Sequence, residues 1–147
     1  MPSTTPHAVK IREARERLGL SPDEAAARMG ISTAALWDIE CIDGDLTNFS
    51  PTEIRQFCQV LGVSPRELFG IDPESHAITA IALADLIREH CRSRAIAVQQ
   101  FEDATGWHVA KSLDDPERFL HDDYSIEGIQ DICRELGVDW RRFILSL

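Results

Sequence analysis

Apolar residues recur along the first half of the chain at intervals of three and four, which is the spacing of one face of an α-helix. The clearest groups are Ile11, Ala14 and Leu18, then Leu36 and Ile39, then Ile54, Phe57 and Leu61. No segment alternates apolar and polar residues between hairpin turns, as paired strands would. The pattern predicts five helices, at about residues 8–18, 22–29, 33–40, 51–61 and 65–69.

Three serines indicate where helices begin. Ser21, Ser50 and Ser64 each start a Ser-Pro-x-Glu sequence. In such a capping box the serine hydroxyl accepts a hydrogen bond from an unpaired amide, and the proline presets the first helical residue. The glutamate then reaches back to the cap. These boxes predict that helices begin at residues 22, 51 and 65.

The second half of the chain repeats the first. Residues 57–66 align with 132–141 at an offset of 75, with Cys, Leu, Gly, Val and Arg identical at matching positions. Farther upstream, Ile-Arg-Glu at 11–13 recurs at 87–89, and Gly30 matches Gly106, both at an offset of 76. We therefore expect one unit at residues 8–70, a linker at 71–79 and a second unit at 80–147.

Helical spacing is less regular in the second unit, but it is present. Its apolar groups are Leu83, Leu86, Ile87, His90 and Cys91; Phe101 and Ala104; Val109 and Leu113; Ile129, Ile132 and Leu136; and Phe143 with Ile144. The expected fold class is all-α, with two tandem five-helix bundles.

The first unit resembles the Cro and phage-repressor helix-turn-helix family. The resemblance lies in the segments IREARERLGLS at 11–21, EAAARMGIS at 24–32 and LGVSP at 61–65. Ala26 is small where two helices would pack closely, and Gly30 stands in the turn, where a positive φ is often required. The second unit matches only at Gly106, at LGV in 136–138 and in its apolar rhythm, as a degenerate copy would.

In that family the N-terminal residues of the recognition helix contact bases in the major groove. By resemblance, the candidate DNA-binding residues are Thr33, Ala34, Ala35, Trp37 and Asp38. The family usually has a phosphate-contacting Gln where this chain has Pro22, which offers neither a side-chain donor nor an amide proton. Ala34 and Ala35 could contact only a thymine methyl group. Asp38 stands at a position that is often basic in the family.

Charge disfavours DNA as a partner. The chain has 147 residues with 25 acidic and 15 basic side chains, a formal net charge of −10. No Lys or Arg occurs between Met29 and Ile54, a stretch with five acids: Asp38, Glu40, Asp43, Asp45 and Glu53. The basic residues of the first helix are expected behind the recognition helix, where they could at best hold the DNA backbone. Since DNA-binding domains usually neutralise several phosphates, a basic protein is an alternative partner.

Candidate residues for protein interaction are Trp37, Asp43, Asp45 and Trp107. Exposed tryptophans are frequent anchors of interfaces. For Trp37 a place in the core and a place at an interface stay equally open, although Leu36 and Ile39 would turn it outward. Trp140 is expected to pack in the core, as Pro65 does at the matching position.

Other chemistry is not predicted. Residues 1–7 lack the apolar segment of a signal peptide, and no stretch approaches 18 apolar residues, so we expect a cytoplasmic protein without a membrane partner. The four cysteines form no Cys-x-x-Cys pair and are interpreted as buried free thiols. His90 and Cys91 diverge on a helix, and the segment 121–123 is interpreted as a solvated loop, so no metal site is predicted.

Two functions fit these patterns. No glycine-rich phosphate loop or nucleophile elbow is present, so we expect neither an enzyme nor a cofactor. The first hypothesis is a transcriptional regulator with weak or conditional DNA binding. The alternative is an acidic module of the antitoxin or immunity type that binds a basic protein and no DNA. Because the tandem units could act as an internal pseudo-dimer, we expect a monomer or a weak homodimer.

Overall fold

The computed structural model describes residues 5–42 and 46–147, and every regular element within these ranges is helical. The all-α class predicted from the sequence is confirmed. The chain divides into two compact units. The first comprises Met1–Leu46 and Glu53–Glu74, and the second comprises Thr47–Thr52 and Ser75–Leu147. Within the described residues, no helix combines the length and the apolar character needed to cross a bilayer.

The helices of the first half lie where the sequence places them. They are α1 (Pro6–Arg17), α2 (Pro22–Met29), α3 (Thr33–Cys41), α4 (Pro51–Leu61) and α5 (Pro65–Phe69), with a short 3₁₀ turn at Leu46–Asn48. Two of the expected serine caps are formed, since Ser21 Oγ accepts from the Glu24 amide at 3.1 Å and Ser64 Oγ accepts from the Glu67 amide at 3.1 Å. The predicted starts at residues 22, 51 and 65 are therefore confirmed.

The core of the first unit is built from the predicted apolar stripes, with one correction. Ile11, Leu36, Ile54 and Phe57 are at most 1% exposed. Leu18, expected in the same stripe, is 48% exposed because α1 ends at Arg17 and the chain turns at Gly19. Leu20 takes the inward position instead and is 7% exposed.

The second half contains six helices rather than the predicted five. They are α6 (Ala80–Ser93), α7 (Val98–Thr105), α8 (Ala110–Asp114), α9 (Pro116–Asp122), α10 (Ile126–Leu136) and α11 (Arg141–Ile144). The extra boundary lies at Asp115, whose φ of −140° and ψ of 77° are not helical. Pro116 has no amide proton with which to continue α8, so it starts α9 instead.

The segment 121–123 is not the solvated loop that was expected. His121 and Asp122 belong to α9, and the His121 ring lies 5.5 Å from the Phe143 ring between centroids. The predicted linker at 71–79 is likewise packed at both ends, with Ile71 5% and Ile78 6% exposed. Ile78 donates its amide to the Arg142 carbonyl at 2.8 Å.

The two units share backbone details at the repeat offsets. In the turn after α1, the amides of Leu18, Gly19 and Leu20 donate to the carbonyls of Ala14, Glu16 and Arg15. In the turn after α6, Arg94, Ala95 and Ile96 donate to His90, Arg92 and Cys91, each position shifted by 76. Cys58 and Cys133 are 5% and 1% exposed, and burial raises the pKa of each thiol to about 12. These equivalences support a duplication.

The turn after α6 contains a strained residue. Ala95 has a φ of 52°, whereas its counterpart in the first unit is Gly19 with a φ of 69°. A left-handed conformation costs an L-residue roughly 1–2 kcal/mol, and glycine adopts it without that penalty.

We expect Ala95→Gly to raise the free energy of unfolding by about 0.5–1 kcal/mol, because the strain relieved exceeds the added freedom of the unfolded chain. The matched change Gly19→Ala should lower it by about 1 kcal/mol. A Cβ at Gly19 would meet no atom within 4 Å, so backbone strain alone is tested. Urea denaturation measures both; a loss of stability in Ala95→Gly would contradict the strain.

Candidate nucleic-acid interface

The turn between α2 and α3 is fixed by short-range hydrogen bonds. Gly30 ends α2 in a left-handed conformation with φ 75°, and the Ile31 amide donates to the Ala26 carbonyl at 3.0 Å. Ser32 then caps α3, since its Oγ accepts from the Ala35 amide at 3.0 Å. Ala26 is 1% exposed, as expected for a small residue between closely packed helices. The arrangement holds α3 against α2 with one face outward.

The outward face of α3 carries most of the residues predicted to bind DNA. Thr33, Ala34, Trp37 and Asp38 are exposed, and Ala35 is half-buried. Trp37 is 58% exposed, which decides between its two open interpretations in favour of the surface. Asp43 and Asp45, predicted to bind a protein partner, lie outside the described residues.

The N-terminal end of α3 lies beside an acid. Thr33 donates its hydroxyl to Asp23 Oδ1 at 2.8 Å, and Asp23 belongs to the first turn of α2. The one hydroxyl among the candidate base-reading side chains is therefore paired within the domain. The Asp23 carboxylate also places negative charge where a DNA phosphate would approach a helix N-terminus.

A partly buried ion pair joins α1 to α3. Arg15 Nη2 lies 2.9 Å from Glu40 Oε1, and Arg15 Nε donates to both Glu40 oxygens at 3.2 and 3.0 Å. The side chains are 13% and 5% exposed. The hydrogen bond to Glu40 raises the pKa of Arg15, so its positive charge is held there. The pair neutralises one acid of α3 and removes one cation from those that could reach phosphate.

Other cations of α1 are engaged inside the domain too. Lys10 Nζ donates to the Glu67 carbonyl, and Arg12 Nη1 donates to the Glu40 carbonyl at 3.5 Å. Arg17 is exposed near the end of α1. The expectation that this helix could supply backbone contacts is thus weakened for its first three cations.

A small cavity lies beside the exposed face of α3. Its volume is about 190 Å³, and Trp37, Leu36, Pro22 and Cys41 line it together with Thr33 and the pair described above. Arg12 also lines it. The exposed indole of Trp37 therefore borders a cavity that both apolar and charged side chains line.

The second unit uses the corresponding region differently. Glu102 of α7 accepts hydrogen bonds from the amides of Val109 and Ala110 at 2.6 and 3.3 Å, so its carboxylate caps α8. In the first unit the matching position is the apolar Ala26. The amides that a phosphate could use at this helix start are already paired with an acid.

Trp107 is packed rather than presented to a partner. It is half-buried, its Nε1 donates to Asp131 Oδ2 at 3.0 Å, and a Cβ added at Gly128 would lie 3.1 Å from its ring. Its role as an interface anchor stays a prediction, for a ring that is partly packed against α10. The spacing of apolar residues could not predict this packing, because Gly128 lies on a different helix, α10.

No group of three or more His, Cys, Asp or Glu side chains in the described part of the chain could hold a metal ion. His90 and Cys91 are both buried, and His90 Nδ1 lies 3.0 Å from Arg94 Nη1.

Residues 8–69, which span α1 to α5 and less than half of the chain, match the family model described as a helix-turn-helix domain. No curated protein and no solved structure matches the chain. Helix-turn-helix domains in general bind DNA through the second helix of the motif, which is α3 in this chain.

Breaking the ion pair from one side should destabilise the protein. We expect Glu40→Gln to lower the free energy of unfolding by about 3 kcal/mol, because it leaves the Arg15 guanidinium partly buried without its carboxylate. The double change Arg15→Met with Glu40→Gln should cost clearly less than the sum of the single changes. Urea denaturation of the original protein, the single variants Arg15→Met and Glu40→Gln, and the double variant measures the coupling energy between the two side chains.

Asp38→Asn is the matched control, since Asp38 is an exposed acid on the same helix and should change stability by less than about 0.5 kcal/mol. Additive effects of the two single changes would mean that Arg15 and Glu40 do not stabilise each other.

Proposed function

We propose that the protein is a transcriptional regulator of the Cro and repressor type that binds DNA weakly or conditionally through α3. The observation that carries this proposal is the outward face of α3, set by a helix-turn-helix domain with Leu36 and Ile39 buried and Trp37 exposed. In our proposal the protein is cytoplasmic, has no enzymatic activity and needs no cofactor.

Weak affinity follows from the charges around that face. Asp38 is exposed on α3, Asp23 holds Thr33, and Arg15 is paired with Glu40. Phosphate contacts supply most of the non-specific affinity of DNA-binding proteins. With few cations available, base contacts would have to supply nearly all the affinity. A bidentate base contact contributes only about 1–3 kcal/mol, and the candidate residues include no Arg, Asn or Gln to make one.

Binding to mixed-sequence duplex should accordingly be weaker than the usual non-specific range of about 10⁻⁴–10⁻⁶ M at physiological salt. Fluorescence titration of the protein into labelled duplex at two salt concentrations measures this. Micromolar binding with a steep salt dependence would contradict the charge argument.

Replacing an acid on the reading face should reveal the orientation of α3 on DNA. We expect Asp38→Lys to tighten binding to duplex DNA by about tenfold and to steepen the salt dependence, because it removes a repulsion and adds a phosphate contact. Asp103→Lys is the matched control, an exposed acid of α7 with the same change in charge. Equal effects of the two changes would show that α3 does not face the DNA.

A second candidate function is supported by exposed apolar side chains at α3. Trp37 is 58% exposed, and Ile42, which follows the helix, is 63% exposed. An aromatic anchor beside acids suits a basic protein partner. Asp38→Lys separates the two functions, since it should strengthen DNA binding and weaken the binding of a basic protein.

A further inference from the structure

Four charged residues form a strip along the outer face of α6 in the second unit. Asp85, Arg88, Glu89 and Arg92 alternate in sign, and all four are exposed. At 100° per residue they lie within one side of the helix. Ile81, one turn earlier, is 52% exposed on the same side. The strip as a whole is neutral, in a chain whose net charge is −10.

A groove runs beside this strip. Its volume is about 760 Å³, and its apolar surface comes from Ile78, Ala82, Leu86 and Val138. In the first unit the residues that match Leu86 and Arg142 are Lys10 and Glu67, and there Lys10 Nζ donates to the Glu67 carbonyl. In the second unit Arg142 Nε instead donates to the His76 carbonyl at 3.0 Å. The hydrogen bond that joins these two positions in the first unit is therefore not formed between the matching positions of the second unit.

The charges along the strip run −, +, −, + from Asp85 to Arg92. A second strip running in the opposite direction therefore places a base opposite each acid. We propose that this face binds a second copy of the chain, with the two α6 helices antiparallel about a two-fold axis between Arg88 and Glu89. Asp85 then lies opposite Arg92 of the partner subunit, and Arg88 lies opposite Glu89 of the partner subunit. Each acid meets a base, whereas a parallel pair about a two-fold axis would bring like charges together.

The contacts present within one copy allow this exchange. Asp85 and Arg88 pair at 3.4 Å, with side chains 68% and 49% exposed, and Arg92 pairs with Glu89. Such exposed pairs are weak, so they can be replaced by pairs between copies without stranding a buried charge. Arg88 Nη2 also donates to the Leu113 carbonyl. Ile81 and the apolar groove supply the attraction, and the charges set the orientation.

The strip fits a second copy better than other occupants. DNA would be repelled by Asp85 and Glu89, and a basic protein by Arg88 and Arg92. Because the apolar surface is modest and the charges are exposed, the dimer should be reversible.

Charge reversal tests this arrangement with the full chain. The variant Asp85→Lys with Glu89→Lys makes the strip wholly basic, and Arg88→Glu with Arg92→Glu makes it wholly acidic. Sedimentation velocity should show that each variant self-associates at least about tenfold more weakly than the original protein. An equimolar mixture of the two should form a heterodimer, because every opposed pair is then of opposite sign.

Asp103→Lys with Asp114→Lys is the matched control, since it makes the same charge change at exposed positions outside the strip. This control should dimerise at least as well as the original protein. Heterodimer formation also shows that both reversed variants are folded. A protein that stays monomeric up to millimolar concentration, or reversed variants that do not pair with each other, would overturn the proposed interface.

Discussion

The partly buried ion pair between Arg15 and Glu40 joins two helices of the helix-turn-helix domain and changes which charges they expose. It holds α1 against α3 and so helps to orient the exposed face of α3, where Trp37 lies. It also removes the charge of Glu40 from the surface and the charge of Arg15 from any phosphate contact. The exposed surface around α3 includes Asp23, Asp38 and the indole of Trp37. The same ion pair therefore affects both the packing of α1 against α3 and the charge of the surface around α3.

The two units differ most at their third helices, which are α3 in the first unit and α8 in the second. In the first unit α3 is continuous, and small alanines of α2 lie beneath it. In the second unit Glu102 replaces one of those alanines and caps a five-residue α8, and Pro116 begins a further helix. The two units have similar turns and similarly buried cysteines, whereas no single helix of the second unit corresponds to the whole of α3. The largest difference between the two units therefore lies in the helix that corresponds to α3.

Much of the first unit could be predicted because its signals are local. The Ser-Pro-x-Glu sequences and the apolar spacing set the helix bounds, and both depend on neighbouring residues alone. The Glu40 pair was missed because Arg15 is 25 residues away, although Glu40 lies on the buried stripe four residues after Leu36. The break at Pro116 has a local cause, since proline lacks the amide proton needed to continue α8, but apolar spacing alone does not indicate it. The packing of Trp107 required the contact with Gly128, which no local pattern contains.

The exposure of Trp37 has an optical consequence. The protein has three tryptophans, and Trp107 and Trp140 are half-buried while Trp37 is 58% exposed. A solvated indole emits at longer wavelength than one packed against a hydrocarbon core and is more accessible to soluble quenchers. The red edge of the intrinsic emission therefore reports mainly on α3. Any molecule that covers this helix would shift that part of the spectrum without the attachment of a dye.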